Sequence, residues 1–153
     1  MWVADLQNGN YRNPVLYADY SDPDAIRVGE DYFMIASSFS NSPALPVLHS
    51  KDLVNWKVIN YCLKHVPEFR YNNPIHGCGV WAPSIRYHEG TYYVCFPMPD
   101  EGIYMTTTKD PWGEWSKPVN IRPGAGWIDP CPFWDDDGKA YLVAGVAKEP
   151  YRI

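Results

Sequence analysis

An all-β fold built from propeller blades is what this sequence predicts, on three observations. A strand–turn–strand pattern recurs three times, a second marker follows two of the recurrences in register, and the composition sets 7 Trp, 12 Tyr and 5 Phe beside 15 Pro and 11 Gly in 153 residues. Many short strands joined by tight turns, with aromatic faces to spare, produce that mix. Long helices are excluded, because Pro or Gly interrupts nearly every helix-length window.

The first recurrence is Ala25-Ile26-Arg27-Val28, a turn at Gly29-Glu30-Asp31, then Tyr32-Phe33-Met34-Ile35-Ala36. Both arms are rich in β-branched and aromatic residues, and the turn carries glycine, so the segment reads as a hairpin. The second is Ser84-Ile85-Arg86-Tyr87, turning at His88-Glu89-Gly90 into Thr91-Tyr92-Tyr93-Val94-Cys95. The third is Pro132-Phe133-Trp134, turning at Asp135-Asp136-Asp137-Gly138 into Ala140-Tyr141-Leu142-Val143. Prolines at equivalent places precede them, Pro23, Pro83 and Pro130, 60 and 47 residues apart.

The second marker is His49-Ser50-Lys51-Asp52-Leu53-Val54-Asn55-Trp56, echoed by Thr107-Thr108-Lys109-Asp110-Pro111-Trp112-Gly113-Glu114-Trp115. Lys51 follows Pro23 by 28 residues and Lys109 follows Pro83 by 26. Repeats of this length, each holding about four short strands, are the signature of propeller blades. Blade one is placed at about 22–60, blade two at about 80–120 and blade three from about 129, all within one domain spanning 1–153. By the same offset the third Lys-Asp marker falls near position 157, so blade three is expected to be cut before its outer strands. Since a propeller closes with 4 to 8 blades, the two and a half to three blades here are expected to leave open lateral faces and to favour self-association.

A net charge of −5 offers no basic stripe for phosphates, which argues against nucleic acid as a partner. Uncharged runs such as Ile35 to His49 contain Pro, Ser and Asn and fall short of the roughly 20 apolar residues of a bilayer span, so no membrane partner is expected. MWVADLQNGN has neither a basic start nor an apolar core and reads as no signal peptide, leaving a cytoplasmic location and secretion after leader removal both open. Cys62, Cys78, Cys95 and Cys131, spaced 16, 17 and 36 apart, fit neither metal pairs nor a disulfide scaffold and are read as buried thiols. His49, His65, His76 and His88 show no metal-ligand spacing, and Asp135 to Gly138 lacks the spaced ligands and terminal Glu of a calcium loop. Neither a metal nor a cofactor is predicted.

Immediately before the repeat prolines stand Asp22, Ala82 and Asp129. The innermost strand of each blade lines the axis, so these equivalent positions should converge and put two carboxylates in one cavity. Paired carboxylates in unlike environments are what acid-catalysed glycoside hydrolysis requires. The plainer reading is that each Asp starts an Asp-Pro turn. Both stand at this point.

Asn13-Pro14-Val15-Leu16 with Ser21-Asp22-Pro23-Asp24, then Gly79-Val80-Trp81-Ala82-Pro83-Ser84, then Trp127-Ile128-Asp129-Pro130 followed by Asp135 to Leu142, resemble successive blade motifs of glycoside hydrolase family 43. The resemblance runs from about residue 13 to about residue 145 and implies a five-bladed propeller. It further implies an inverting hydrolase of arabinose- or xylose-containing plant glycans, needing no cofactor. By motif match Asp22 takes the place of the general base that activates water, and Asp129 that of the carboxylate that tunes and orients the general acid. Trp81 and Phe39 take the place of the wall of the −1 subsite. The family's general acid is a Glu of the following blade, and its motif is not found here. Glu30, Glu89, Glu101 and Glu114 lie in or beside turns, Glu68 lies between blades one and two, and Glu149 lies near the last residue. Without a proton donor the chain is expected to lose roughly 100- to 10,000-fold in rate and to be inactive by itself.

Trp56, Trp112 and Trp115 are read as blade-packing aromatics, and His76 as a loop residue. Some family members hold an axial ion through a histidine of a later blade, which gives no reason to expect a metal here. Two other readings stand beside the hydrolase. One is a non-catalytic carbohydrate-binding or interaction module on the same blades. The other is a retaining, fructan-cleaving propeller, whose Asn-Asp-Pro-Asn-Gly type signature is replaced here by Ser21-Asp22-Pro23-Asp24. Xylose against arabinose, and exo against endo action, stay open.

Overall fold

A computed structural model describes residues 2–147. The first sheet is an antiparallel meander of β1 (Asp24–Val28), β2 (Asp31–Ile35), β3 (Ala44–Ser50) and β4 (Lys57–Leu63), paired in that order. A second meander repeats it with β5 (Ser84–His88), β6 (Thr91–Met98), β7 (Gly102–Thr108) and β8 (Val119–Pro123). β9 (Trp127–Trp134) and β10 (Ala140–Val146) form a third, two-stranded sheet among the described residues. The connection between the first two sheets holds one 3₁₀ turn, Phe69–Asn72. Glu149, one of the glutamates considered as an acid, lies outside the described residues.

Local chemistry accounts for the hairpins. Val28 pairs with Asp31 across a two-residue loop whose first member, Gly29, has φ 63, the arrangement of a type II′ turn. His88 pairs with Thr91 across Glu89 and Gly90, both with positive φ (45 and 79), which is a type I′ turn. Primed turns match the right-handed twist of the strands they join. The third hairpin is longer than its sequence suggests. β9 begins at Trp127, runs through Asp129-Pro130, and loses register between Val143 and Gly145 of β10. Proline cannot donate to the ladder and Asp129 has φ 51, so pairing lapses there and resumes beyond the bulge.

The repeated Lys-Asp marker is a turn-holding device. Asp52 Oδ1 accepts from the backbone N–H of Val54 (2.9 Å) and Asn55 (2.7 Å), and Ser50 Oγ accepts from that of Leu53 (2.9 Å). In the second copy Asp110 Oδ1 accepts from Trp112 N–H (3.0 Å). Trp112 then reaches back to the first sheet and meets Phe33 edge-on at 5.3 Å and the His49 ring at 4.9 Å. Asn60 of β4 donates to the carbonyls of Pro111 (3.1 Å) and Gly113 (2.6 Å). The tail of one marker thus clasps the preceding sheet.

The core lies between the first two sheets and contains Phe33, Ile35 and Val47 from one with Ile85, Val94, Phe96 and Met98 from the other. β9 packs on β5 and β6. Its Trp134 stacks on His88 (4.7 Å) and meets Tyr93 (4.6 Å). β10 leaves Tyr141, Leu142, Val143 and Val146 exposed. Cys62 and Cys95 are buried, but Cys78 and Cys131 are only half-buried, which corrects the reading of four buried thiols. Cys78 lies in the inter-sheet connection, and Cys131 lies on β9, where Arg86 reaches it. No helix among the described residues is long and apolar enough to cross a membrane.

Candidate active site

In a meander the chain enters the first strand at the same end at which the second strand leaves. One end of the molecule therefore carries Asp22, Ala82 and Asp129, the loop 36–43, the connection 64–83 and the β6–β7 turn. At the centre β1, β5 and β9 run side by side, β5 touching both others. One side chain ties the three. Arg86 of β5 donates through Nη1 to Asp24 Oδ2 (2.6 Å) and through Nη2 to Cys131 Sγ (2.9 Å), while Ile85 N–H donates to the same Asp24 oxygen (2.9 Å). Asp24 and Cys131 each lie two residues after a candidate carboxylate. Asp22 thus precedes the Asp24 contact in the chain and Asp129 precedes the Cys131 contact, on segments that lead into the two strands β5 touches.

Both carboxylates sit on strained backbone. Asp22 has φ 49 and Asp129 has φ 51, each directly before a proline that narrows the preceding residue's conformations further. Such strain persists only where the surroundings over-determine it. Both residues are exposed, so their carboxylates are accessible. Asp22 Oδ2 accepts from Ser21 Oγ (2.6 Å) and from the buried Ser37 Oγ (3.2 Å), and Ser37 N–H donates to the Ser21 carbonyl (3.0 Å). Ser37 fixes Asp22 from the loop that follows β2, and nothing in its sequence surroundings announces that.

Phe39 and Trp81 are brought together at the seam of the first two sheets. Phe39 and Val80 exchange backbone hydrogen bonds (2.8 and 2.9 Å), and Trp81 follows Val80. Trp81 is fixed by its N–H to the Pro97 carbonyl (3.0 Å) and its indole N–H to the Gly77 carbonyl (2.9 Å). The bridge needs a glycine beside it. Gly79 has φ 96, and a Cβ there would overlap the Phe39 carbonyl. Three further serines pin the same loops, Ser38, Ser40 and Ser42 accepting from the N–H groups of Leu45 (3.1 Å), Ile75 (3.3 Å) and Val66 (3.1 Å).

A second charged cluster lies on this end. Arg70 binds Asp100 (2.6 Å), Glu101 and the Tyr71 hydroxyl (2.5 Å), clamping the 3₁₀ turn onto the β6–β7 turn. Burial pushes the Glu101 carboxyl above its ordinary range, against the opposing pull of Arg70. Its oxygens are nonetheless engaged by Arg70 and Tyr71, so it serves as a clamp rather than a free acid. No group of three or more metal-ligating side chains occurs among the described residues.

Residues 11–152 match the sequence model of glycosyl hydrolases family 43. The chain belongs to that family. It is 40% identical over 151 residues to a β-xylosidase of Formosa agariphila, covering 94% of this chain and 25% of the relative. It is 39% identical over 155 residues to a non-reducing end α-L-arabinofuranosidase of Bacteroides ovatus, covering 94% and 28%. Among solved structures, a family 43 protein of Bacillus licheniformis superposes with a TM-score of 0.78 at 37% identity, over 88% of this chain and 29% of that one. This family 43 chain spans about a quarter of the length of the curated relatives it matches. Its fold is accordingly part of a β-propeller, and its sheets are propeller blades.

Proposed function

We propose that this family 43 chain supplies the water-activating base and the acid-tuning carboxylate of an inverting glycosidase acting on xylose- or arabinose-containing glycans. The observation that supports the reading is the Arg86 tie between Asp24 and Cys131, each two residues after one of the two carboxylates, which both stand on strained backbone. Asp22, exposed and oriented by Ser21 and Ser37, takes the proton of the attacking water. Asp129, exposed on its strained backbone, holds the general acid in its working orientation. Phe39 and Trp81 form the apolar wall against which the sugar ring packs. The names of the relatives, β-xylosidase and arabinofuranosidase, support this substrate class.

General acid catalysis contributes about 100- to 10,000-fold. None of the described glutamates stands at a blade start, so the chain by itself is proposed to be inactive. The exposed apolar residues of β10 favour self-association of this form. Asp22→Asn tests the base. It should abolish hydrolysis of an aryl pentoside by the complete catalytic propeller while leaving the circular dichroism spectrum unchanged, and unchanged turnover refutes the assignment. NMR of the first-formed product should show inverted anomeric configuration. A second reading, a carbohydrate-binding module, is favoured by the Phe39–Trp81 wall, which is assembled here without a proton donor. Binding of xylobiose without any hydrolysis by the complete propeller would favour it.

A further inference from the structure

The Asp22 carboxylate is held by one of its two oxygens. Oδ2 accepts from Ser21 Oγ (2.6 Å) and from Ser37 Oγ (3.2 Å), while Oδ1 has no hydrogen-bond partner among the described residues. A carboxylate oxygen offers two lone-pair sites, so the two hydroxyls fill Oδ2 and leave both sites of Oδ1 open. The oxygens are unlike before any substrate arrives.

The donors are themselves fixed. Ser37 is 9% exposed, and its N–H donates to the Ser21 carbonyl (3.0 Å), which latches the two serines to each other. The next residues are tied to the second blade, Ser38 and Phe39 both donating through their N–H groups to the Val80 carbonyl (3.2 and 2.8 Å). Ser37 therefore stands two residues from Phe39 on backbone that cannot shift without breaking that bridge. Its hydroxyl has one proton and two acceptors in reach, Asp22 Oδ2 and the Ser21 carbonyl (2.9 Å). The carbonyl keeps the Ser37 N–H whichever way the hydroxyl turns, so the charged oxygen, the stronger acceptor, takes the proton's bond without orphaning the backbone.

We propose that Ser21 and Ser37 are a pair of positioning residues that make Asp22 Oδ1 the oxygen that takes the proton in hydrolysis. The inference rests on the role of Asp22 as base proposed above. Water gives its proton to Oδ1 as a lone pair of its oxygen forms the bond to the anomeric carbon. The glycosidic C–O bond breaks with its electron pair going to the departing oxygen, which takes a proton from the general acid. The serines give up no proton. They stop rotation of the carboxylate about Cβ–Cγ, so Oδ1 keeps one heading, whereas an exposed carboxylate without the clamp would spend less of its time in the productive orientation.

The test compares Asp22→Asn, Ser21→Ala, Ser37→Ala and Ser21→Thr in the complete catalytic propeller, with 4-nitrophenyl β-xyloside and 4-nitrophenyl α-arabinofuranoside as probes. Each alanine variant should lower kcat about fivefold and leave KM within about twofold, because the loss falls on the orientation of the base and not on sugar binding. Ser21→Thr, which keeps the hydroxyl on a half-buried residue, should recover most of what Ser21→Ala loses. Ser37→Ala keeps the N–H latch, and should it fail to fold, the two Ser21 variants decide the matter. If Asp22→Asn abolishes turnover while both alanine variants hold kcat within about twofold, the inference is overturned and the base assignment stands. A KM that rises as far as kcat falls, or Ser21→Thr as slow as Ser21→Ala, marks a merely structural role and overturns it as well. Turnover indifferent to Asp22→Asn removes the base assignment and this inference with it.

Discussion

Replacing Arg86 by Met removes a side chain that stands on one inner strand and bonds to the other two. The change keeps the aliphatic stem and deletes the hydrogen bonds to Asp24 (2.6 Å) and Cys131 (2.9 Å), leaving Asp24 the backbone N–H groups of Ile85 (2.9 Å) and Ala25 (3.1 Å). A hydrogen bond to a charged group contributes about 1.5–3 kcal/mol when well shielded. The Arg86 and Asp24 side chains are 34% and 29% exposed, so solvent screening brings the expected loss to about 1.5–2 kcal/mol. At about 2–4 °C per kcal/mol for a chain of this size, the melting temperature should fall by about 3–8 °C. Circular dichroism measures that, and hydrogen exchange at the Ile85 amide should accelerate, because its acceptor is no longer fixed. Arg86→Lys should fall between wild type and Met, keeping charge while losing the fork that reaches two partners. In an Asp24→Asn background the Met change should cost clearly less than in the wild type. Full additivity, or a drop under about 1 °C, would refute the idea that Arg86 ties the inner strands.

Gly79→Ala should destabilise by about 2–3 kcal/mol, because it combines a positive φ with a Cβ in the space of the Phe39 carbonyl, and urea unfolding measures it. Burial pushes the phenols of Tyr92 and Tyr104 up to about 12. A pKa raised on folding contributes stability that is complete below the unfolded value near 10 and is lost as pH rises through the folded one. Alkaline unfolding between about pH 10 and 12 should therefore coincide with tyrosinate absorbance, and tyrosines that ionise well before unfolding would count against it. Hydrogen bonds from Asn55 and Val54 hold the Asp52 carboxyl far below its ordinary range. A depressed pKa gives stability that is present above about pH 4 and lost as pH falls. Asp52→Ala should thus cost about 1 kcal/mol at pH 7, as for a lost helix cap, and the difference in melting temperature should shrink steadily as pH falls below about 4.

The hairpins were legible because their causes are local. Alternating β-branched and aromatic residues around Gly29 and Glu89-Gly90 announce both the strands and their turn types. The three Pro-marked blade starts were legible because they repeat. What escaped was tertiary. Ser37 binds Asp22 from 15 residues away, Asp24 finds Arg86 across 62, and Arg86 finds Cys131 across 45. No period or spacing marks such pairs. Asp24 stood in the sequence only as the last residue of the Ser21-Asp22-Pro23-Asp24 motif, although its carboxylate anchors β1 to β5. Gly79 was quoted as part of a blade-start motif, but only the approach of Phe39 reveals why a side chain cannot stand there. The length of β9 was missed because Pro130 argues against a strand, and a bulge lets the strand continue past it.

Two of these three long-range pairs, Arg86 with Asp24 and Arg86 with Cys131, share a source. The second blade has Ala82 where its neighbours have carboxylates, yet it supplies the supports of the site. It contributes Arg86 to Asp24 and Cys131, Val80 to Phe39, and His88 and Tyr93 to Trp134. The third sheet has two strands among the described residues and leaves Leu142, Val143 and Val146 exposed, so little of its own packing fixes Asp129. The position of that carboxylate is set by β9 lying on β5 and β6. An inner strand held from the adjacent blade keeps its register while its own outer strands are few, because the contacts that fix it lie at the axis rather than at the rim. A blade without a carboxylate between two that have one also spares the centre a third like charge, which at short range would raise the pKa values of the others and favour their protonation.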